Sequence, residues 1–286
     1  MIAITGATGQ LGRLVIQRLL QNLPAEQLIA AVRSPAKAAD LQALGVQVRE
    51  ADYNNPQTLQ AAFAGVSKLL LISSSEVGQR AAQHANVIAA ARDAGVALLV
   101  YTSILHADSS PLPLAEEHKA TEQALAASGL PYTLLRNGWY TENYAASVPA
   151  ALQFGVVLGA AGEGRIASAA RADYAAAAAQ VLLSDNQAGK VYELAGDDSY
   201  TLSEFAGAIA QISAKNVSYN DMSEADFTVA LTQAGLPAPL ATMLAESDTG
   251  ASKGGLFDDS HSLSTLIGRP TTPYQEVIAA QLNTLS

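Results

Sequence analysis

Ile2-Ala3-Ile4-Thr5-Gly6-Ala7-Thr8-Gly9-Gln10-Leu11-Gly12 decides the fold of this 286-residue chain. An apolar, mostly β-branched run ends in a glycine cluster. An amphipathic pattern follows at once, with Leu11, Val15, Leu19 and Leu20 on one stripe. The reading is strand, tight turn, helix. Such a turn leaves backbone N–H groups free at a helix N-terminus, where the macrodipole is positive, and so suits a phosphate or pyrophosphate. Gly6 allows the sharp turn, Gly9 lets the backbone approach the anion, and Gly12 lets helix and strand pack closely. The spacing is G-x-x-G-x-x-G, a variant of the G-x-G-x-x-G dinucleotide fingerprint, and it stands between a strand and a helix as that motif requires. A glycine-rich β–α turn without a ligand is the plainer alternative.

Outward from that turn, strands and helices alternate. Leu28–Val32 reads as a second strand and Val46–Arg49 as a third. Lys68–Ile72 is the most apolar strand, as a central parallel strand buried on both faces should be. A helix is expected over Val77–Ala94, strands over Leu98–Tyr101 and Tyr132–Leu135, and a helix in the segment Pro111–Ser128 between them. Asp52 either lies near an adenine or caps the helix that begins around Pro56. Six such strands imply an α/β, Rossmann-type, doubly wound parallel sheet of order 3-2-1-4-5-6. Residues 1–150 are expected to form this dinucleotide-binding domain, with 165–190 packing back onto it. Residues 191–286, with about 151–164, are expected to form a smaller C-terminal α/β substrate domain over the sheet's carboxyl edge, making a cleft for substrate. Within it Val191–Leu194 reads as a strand, Thr201-Leu202-Ser203-Glu204 as a capping box, and Ser223 as a further helix start.

Arg33, directly after the second strand, selects the nucleotide. An NAD-binding unit places an acidic residue there for the ribose 2′-hydroxyl. A guanidinium instead offers paired donors to a 2′-phosphate, so NADPH (NADP+) is expected, against the alternative of a solvated surface arginine. Ser73, Ser74 and Ser75 end the central strand, where ligands of doubly wound sheets bind. They approach the cofactor there or cap the next helix.

Composition narrows the classes. Hydrophobic residues are 49% and charged residues 15% of the chain, which is globular, and the net charge of −10 opposes nucleic acid and anionic membranes. There is no cysteine, and the four histidines (His84, His106, His118, His261) lack metal-ligand spacing, so no metal site is expected. No signal peptide or bilayer-spanning window is read, and a cytoplasmic protein is the default.

The chain resembles the NmrA-like group of atypical short-chain dehydrogenases, through Gly6–Gly12, Arg33, Leu135–Asn143 and Leu266–Pro270. Within that group it is similar to the bacterial type 2 NAD(P)H:quinone oxidoreductases, through Leu69–Arg80 and Gly250–Asp259. Triphenylmethane reductases are near relatives. The resemblance implies cofactor contacts at Gly6, Ala7, Thr8, Gly9, Gln10 and Leu11, at Arg33, at Ser73–Ser75, and at Asn137, Gly138, Trp139 and Tyr140. It also implies that Arg171 lies at the mouth of the site.

Typical short-chain dehydrogenases use a Tyr-x-x-x-Lys pair with a serine, the lysine lowering the tyrosine pKa. Here Thr102 and Ser103 stand at the serine position, and the helix reads His118-Lys119-Ala120-Thr121-Glu122, without that pair. The absence fits an acceptor that needs little general acid. A quinone is electron-poor, and its hydroquinone anion is resonance-stabilised, so catalysis reduces to positioning. His118 is a candidate proton donor or a helix-surface residue. Tyr140, Trp139 and Tyr144 either stack on a flat ligand or are core aromatics. The expected activity is NADPH-dependent hydride transfer to a small-molecule quinone. A non-catalytic NADP(H)-sensing regulator and a reductase of triarylmethane dyes are the alternatives, and a homodimer is one admissible assembly.

Overall fold

The computed structural model describes residues 1–285. In chain order its elements are β1 (Ile2–Thr5), α1 (Gln10–Leu19), β2 (Leu28–Val32), α2 (Ala39–Ala43), β3 (Gln47–Glu50), α3 (Pro56–Ala62), β4 (Lys68–Leu71), α4 (Arg80–Asp93), β5 (Leu98–Ile104), α5 (Ala115–Ser128), β6 (Tyr132–Asn137), α6 (Thr141–Ala145), α7 (Val148–Phe154), β7 (Val156–Gly159), α8 (Arg171–Leu183), β8 (Val191–Leu194), α9 (Leu202–Ser213), β9 (Ser218–Asp221), α10 (Glu224–Gln233), α11 (Ala238–Ser252), α12 (Ser262–Ile267) and α13 (Tyr274–Asn283). Two compact units result. The first holds Met1–Ala107, Glu116–Asn137 and Arg171–Tyr192. The second holds Asp108–Ala115, Gly138–Ala170 and the residues from Glu193 on.

The seven-stranded sheet runs β3-β2-β1-β4-β5-β6-β8. The pairings of β1 with β2 and β4, of β2 with β3, and of β5 with β4 and β6 are all parallel. Every residue of β1, β2 and β5 is buried, because helices cover both faces and no solvent face is left for polar alternation. Phe63, Leu69, Leu99, Tyr101, Leu125 and Leu134 share one core cluster. The alanines 175 to 179 of α8 are all buried, and α8 packs on α1, where small side chains let two helices approach closely. Lys68 Nζ, at the start of β4, donates to the carbonyls of Leu182 and Ser184 at 2.8 and 2.9 Å and so caps the end of α8.

The second unit is built from shorter pieces. β7 and β9 form a two-stranded parallel pair, with Val156 opposite Ser218 and Gly159 opposite Asp221. Thr201 and Glu204 complete the expected capping box at α9, and Ser223 Oγ caps α10 by accepting from Asp226 N. Leu202, Phe205 and Ile209 of α9 are buried, and Phe205 packs with Tyr144, Tyr200 and Tyr274 in an aromatic cluster.

Several expectations are revised. Residues Val191–Leu194, expected within the small domain, form the edge strand β8 beside β6 of the main sheet. Residues 138–150, expected with the sheet, group with the second unit. On α1, Ile16 is buried and Leu20 is only partly so, because Leu20 caps the helix end. The helix expected from Val77 starts at Arg80. The preceding residues are folded as turns, with Ser74 Oγ accepting from Glu76 N at 3.1 Å and Gln79 N donating to Glu76 O at 3.1 Å. At α3 the cap is Asn55, whose Oδ1 accepts from Gln57 N at 3.2 Å. Asp52 instead folds its own turn by accepting from Asn54 N at 2.9 Å.

Candidate cofactor site

The glycine turn has the geometry its spacing requires. Gly6 has φ +58°, and Gly9 N donates to Gly6 O at 2.9 Å. A Cβ on Gly12 would lie 2.6 Å from Gly6 O and 2.7 Å from Ala7 Cα, so the helix start is pressed against the turn itself. Gly9 is the N-cap of α1 and offers no capping side chain, and the first turn has no acidic residue. The leading N–H groups of any helix lack intrahelical acceptors, so here they are left for a ligand anion. Arg13 props the turn from behind. Its Nε donates to Thr8 O at 3.2 Å, and its guanidinium also pairs with Asp40 and with Lys37 O.

The switch point of this sheet lies between β1 and β4, whose outward connections diverge. There the Tyr53 hydroxyl bridges Thr5 Oγ1 and Ile72 O, tying the tips of the two strands together. Burial raises the Tyr53 pKa well above the usual phenol range, so the bridge is protonated. Ser73 N donates to Thr102 Oγ1 at 2.9 Å, and Ser73 Oγ is buried beside Tyr101. Ser74 N donates to His84 Nε2 at 3.0 Å, and Ser74 O accepts from the buried Arg80 Nε at 2.6 Å. Ser74 thus also shapes the turn before α4, and Ser75 is exposed. Arg33, just past β2, is an exposed side chain whose Nη1 lies 2.6 Å from Glu76 Oε1.

The other predicted residues distribute as follows. Asn137 ends β6 opposite Ile104 of β5, and its Oδ1 is buried without a hydrogen-bond partner. A buried amide oxygen in that condition calls for a donor from outside the chain, a ligand or an ordered water. Gly138 N donates to Leu194 O at 2.7 Å. Trp139 is buried and its carbonyl accepts from Ala169 N, while Tyr140 pairs with Ala169 and precedes α6. Tyr144, read as stacking on a flat ligand or as a core aromatic, has its hydroxyl 2.9 Å from Asp248 Oδ1 and its ring beside Tyr200 and Phe205, inside the second unit. Arg171 begins α8.

His118 is not the helix-surface residue that its neighbour Lys119 suggested. It is buried and shares a 2.8 Å hydrogen bond with the Tyr101 hydroxyl through Nδ1. Burial, with the nearby Arg80 and His84, lowers its pKa to about 3, which favours the neutral imidazole over the imidazolium at neutral pH. Four residues on, Glu122 accepts from Ser103 Oγ at 2.6 Å and from Arg136 Nε and Nη2 at 3.0 and 2.7 Å. Both His118 and Glu122 are therefore engaged in bonds inside the first unit. Sequence reasoning missed Glu76, Tyr53 and Glu122. The i, i+4 spacing of His118 and Glu122 was the available signal for the last of these.

The glycine cradle and the unpaired Asn137 Oδ1 fit a dinucleotide. Among the described residues no cluster fit to hold a metal ion occurs, and no helix is long and apolar enough to cross a membrane.

Comparison with known proteins bears on this site. A family described as NAD(P)H-binding matches residues 6–185. Quinone oxidoreductase 2 of Escherichia coli is 62% identical over 283 residues, 99% of each chain. The crystal structure of that NADPH-dependent enzyme complexed with NADPH has a TM-score of 0.97 at 61% identity, covering 99% of this chain and 100% of that one. Citrobacter triphenylmethane reductase complexed with NADP(H) has a TM-score of 0.94 at 42% identity, covering 98% of this chain and 100% of that one. An NmrA-like family domain-containing oxidoreductase of Aspergillus flavus is 30% identical over 234 residues, covering 78% of this chain and 75% of that one. With its glycine turn, its sheet order and these full-length likenesses in agreement, the chain belongs to the NAD(P)H-binding, NmrA-like family.

Proposed function

We propose that this chain is an NADPH-dependent quinone reductase, passing a hydride to a quinone in a two-electron reduction. The observation that carries the reading is the 62% identity over 99% of both chains to quinone oxidoreductase 2. The nicotinamide ring, when bound, supplies the hydride. The residues of the chain do the rest. The amides at the start of α1 receive the pyrophosphate, and the Arg33 guanidinium receives the 2′-phosphate. Ser73–Ser75 and Asn137–Tyr140 serve the remainder of the cofactor, with the Asn137 amide oxygen accepting a ligand donor. Arg171 and Tyr144 serve the substrate side. With His118 neutral and Glu122 saturated, no side chain at these positions delivers a proton. Hydride transfer leaves the hydroquinone monoanion, and the single proton that completes the hydroquinone comes from water, which the stabilised anion tolerates. Catalysis is then the alignment of two flat rings.

The test is NADPH oxidation, followed by near-ultraviolet absorbance with and without a small quinone and repeated with NADH. Fast quinone-dependent oxidation preferring NADPH is expected. Arg33→Ala should raise the KM for NADPH by about tenfold more than that for NADH, the worth of a charge-assisted phosphate contact. An unchanged ratio would sink the 2′-phosphate assignment. The 42% identity to triphenylmethane reductase supports trying a cationic triarylmethane dye as a second acceptor. Tight NADPH binding without turnover on quinone or dye would move the reading to an NADP(H)-sensing regulator. A cytoplasmic site of action and a homodimer go with the enzyme reading; cell fractionation and light scattering test them.

A further inference from the structure

Arg33 is held by an acid of its own chain. Its Nη1 lies 2.6 Å from Glu76 Oε1, on the loop after β4. The other carboxylate oxygen of Glu76 accepts from Gln83 Nε2 at 2.8 Å, and Gln83 is buried in the first turn of α4. The loop is fixed further by Gly78 N donating to Glu117 Oε1 at 2.9 Å and by Arg80 donating to Ser74 O at 2.6 Å. Glu76 is therefore an anion carried by an anchored loop and aimed by Gln83 at the one guanidinium that the nucleotide reading assigns to the 2′-phosphate.

We propose that Glu76 sets the discrimination between NADPH and NADH, by occupying Arg33 as an internal stand-in for the 2′-phosphate. The inference rests on the cofactor reading above. Carboxylate and phosphate both match the guanidinium fork, and two anions crowded onto one guanidinium repel each other. NADPH must therefore displace Glu76 from Arg33. NADH has no 2′-phosphate, so it leaves the ion pair closed and Arg33 satisfied. Preference for NADPH is then the difference between two anions competing for one cation, and Glu76 tempers it.

The test is calorimetric binding of NADPH, NADH, 2′,5′-ADP and 5′-ADP to the full chain and to its Glu76→Gln, Arg33→Ala and double variants. Glutamine keeps the shape of residue 76 and a hydrogen bond to Gln83 while removing the charge. An unchanged melting temperature checks that the fold is intact. Glu76→Gln is expected to tighten NADPH and 2′,5′-ADP about two- to fivefold, the worth of an exposed ion pair, and to leave NADH and 5′-ADP as they were. In the Arg33→Ala background it should change nothing. Equal or weaker NADPH binding by Glu76→Gln would overturn the proposal. If Arg33→Ala collapses the NADPH preference while Glu76→Gln leaves it alone, Glu76 is a bystander and the cofactor reading survives. If Arg33→Ala leaves the preference intact, the 2′-phosphate reading fails and the role of Glu76 falls with it.

Discussion

In the first unit the backbone does the joining, and in the second the side chains do. The first is a sheet of seven strands whose β1, β2 and β5 are wholly buried. The second has one pair of four-residue strands, with β9 mostly exposed, and is held by polar contacts between residues far apart in sequence. Tyr144 and Asp248 bond across 104 positions. Asp248 Oδ2 also accepts from Ala160 N at 3.0 Å, Tyr219 Oη accepts from Ala161 N at 3.1 Å, and Asp221 Oδ1 accepts from Gly162 N at 2.9 Å. Three consecutive amides after β7 thus rest on side chains from β9 and α11. A repetitive backbone ladder spreads its stability over many equivalent bonds, whereas such a clamp concentrates it in a few groups.

The largest effect should come from the first unit at its tightest backbone contact. Gly12→Ala puts a Cβ 2.6 Å from Gly6 O, and the clash is with backbone rather than with a side chain that can turn away. We expect a loss of about 1–3 kcal/mol in stability, by the usual cost of overpacking. NADPH affinity should fall by more than about tenfold, because the turn that presents the amides is displaced. Calorimetry and nucleotide titration of the variant measure both; near-wild-type binding would mean that the turn adapts more freely than its geometry implies.

Asp248→Ala is the matching break in the second unit. It strands the Tyr144 hydroxyl and the Ala160 amide in a site where Asp248 itself is only 4% exposed. An unsatisfied buried group costs about 1–3 kcal/mol, so a loss near 3 kcal/mol is expected in urea unfolding. Hydrogen exchange should report it first at Ala160. If exchange there is unchanged, the clamp does not hold the loop.

The same comparison has a pH signature with opposite signs. Burial raises Asp248 to a pKa of about 6, above its unfolded value. The folded state then binds the extra proton, so this contribution falls as pH rises from about 4 to about 6, by roughly 2–3 kcal/mol. Burial lowers both His84 and His118 to about 3, below their unfolded value of 6.5. Their contribution is present above pH 6.5 and is lost as pH falls, by about 2 kcal/mol each on reaching pH 5. Between pH 6 and 5 acid should therefore favour the amides held by Asp248 and weaken those around Ser74. Exchange profiles that move together in both places would refute the contrast.

The sheet was legible because burial on both faces writes itself into the sequence as unbroken apolar runs, as in Leu69–Ile72, and because a glycine turn needs three particular positions. The order of its first six strands followed from the βα alternation and the glycine turn together, which point to the doubly wound dinucleotide-binding pattern. In the second unit the helix caps and the apolar run Val156–Leu158, which becomes β7, were legible, and its tertiary links were not. The partnership of Tyr144 with Asp248 depends on tertiary placement, and nothing local in either stretch announces it. Within the candidate site, residue type pointed to Arg33, but its engagement with Glu76 was hidden for the same reason. His118 misled in another way. Its charged neighbour suggests solvent, yet on a helix adjacent residues point about 100° apart, so Lys119 says little about the face that His118 occupies.

Tyr101→Phe should have the smallest effect, and it sharpens the part of the comparison that concerns chemistry. The substitution removes the hydroxyl that bonds His118 Nδ1 at 2.8 Å and leaves the ring, which packs edge-on to His84 at 5.4 Å. A stability loss of about 1 kcal/mol is expected, since one buried hydrogen bond is lost and the shape is kept. If His118 were the proton donor, freeing its ring nitrogen and altering its basicity would change quinone turnover and its pH profile. Because burial keeps the imidazole neutral, kcat should stay within about twofold of wild type and the profile should not move. A shifted profile would return His118 to the reaction and would make the buried polar cluster under β5 part of the catalytic machinery rather than of the fold.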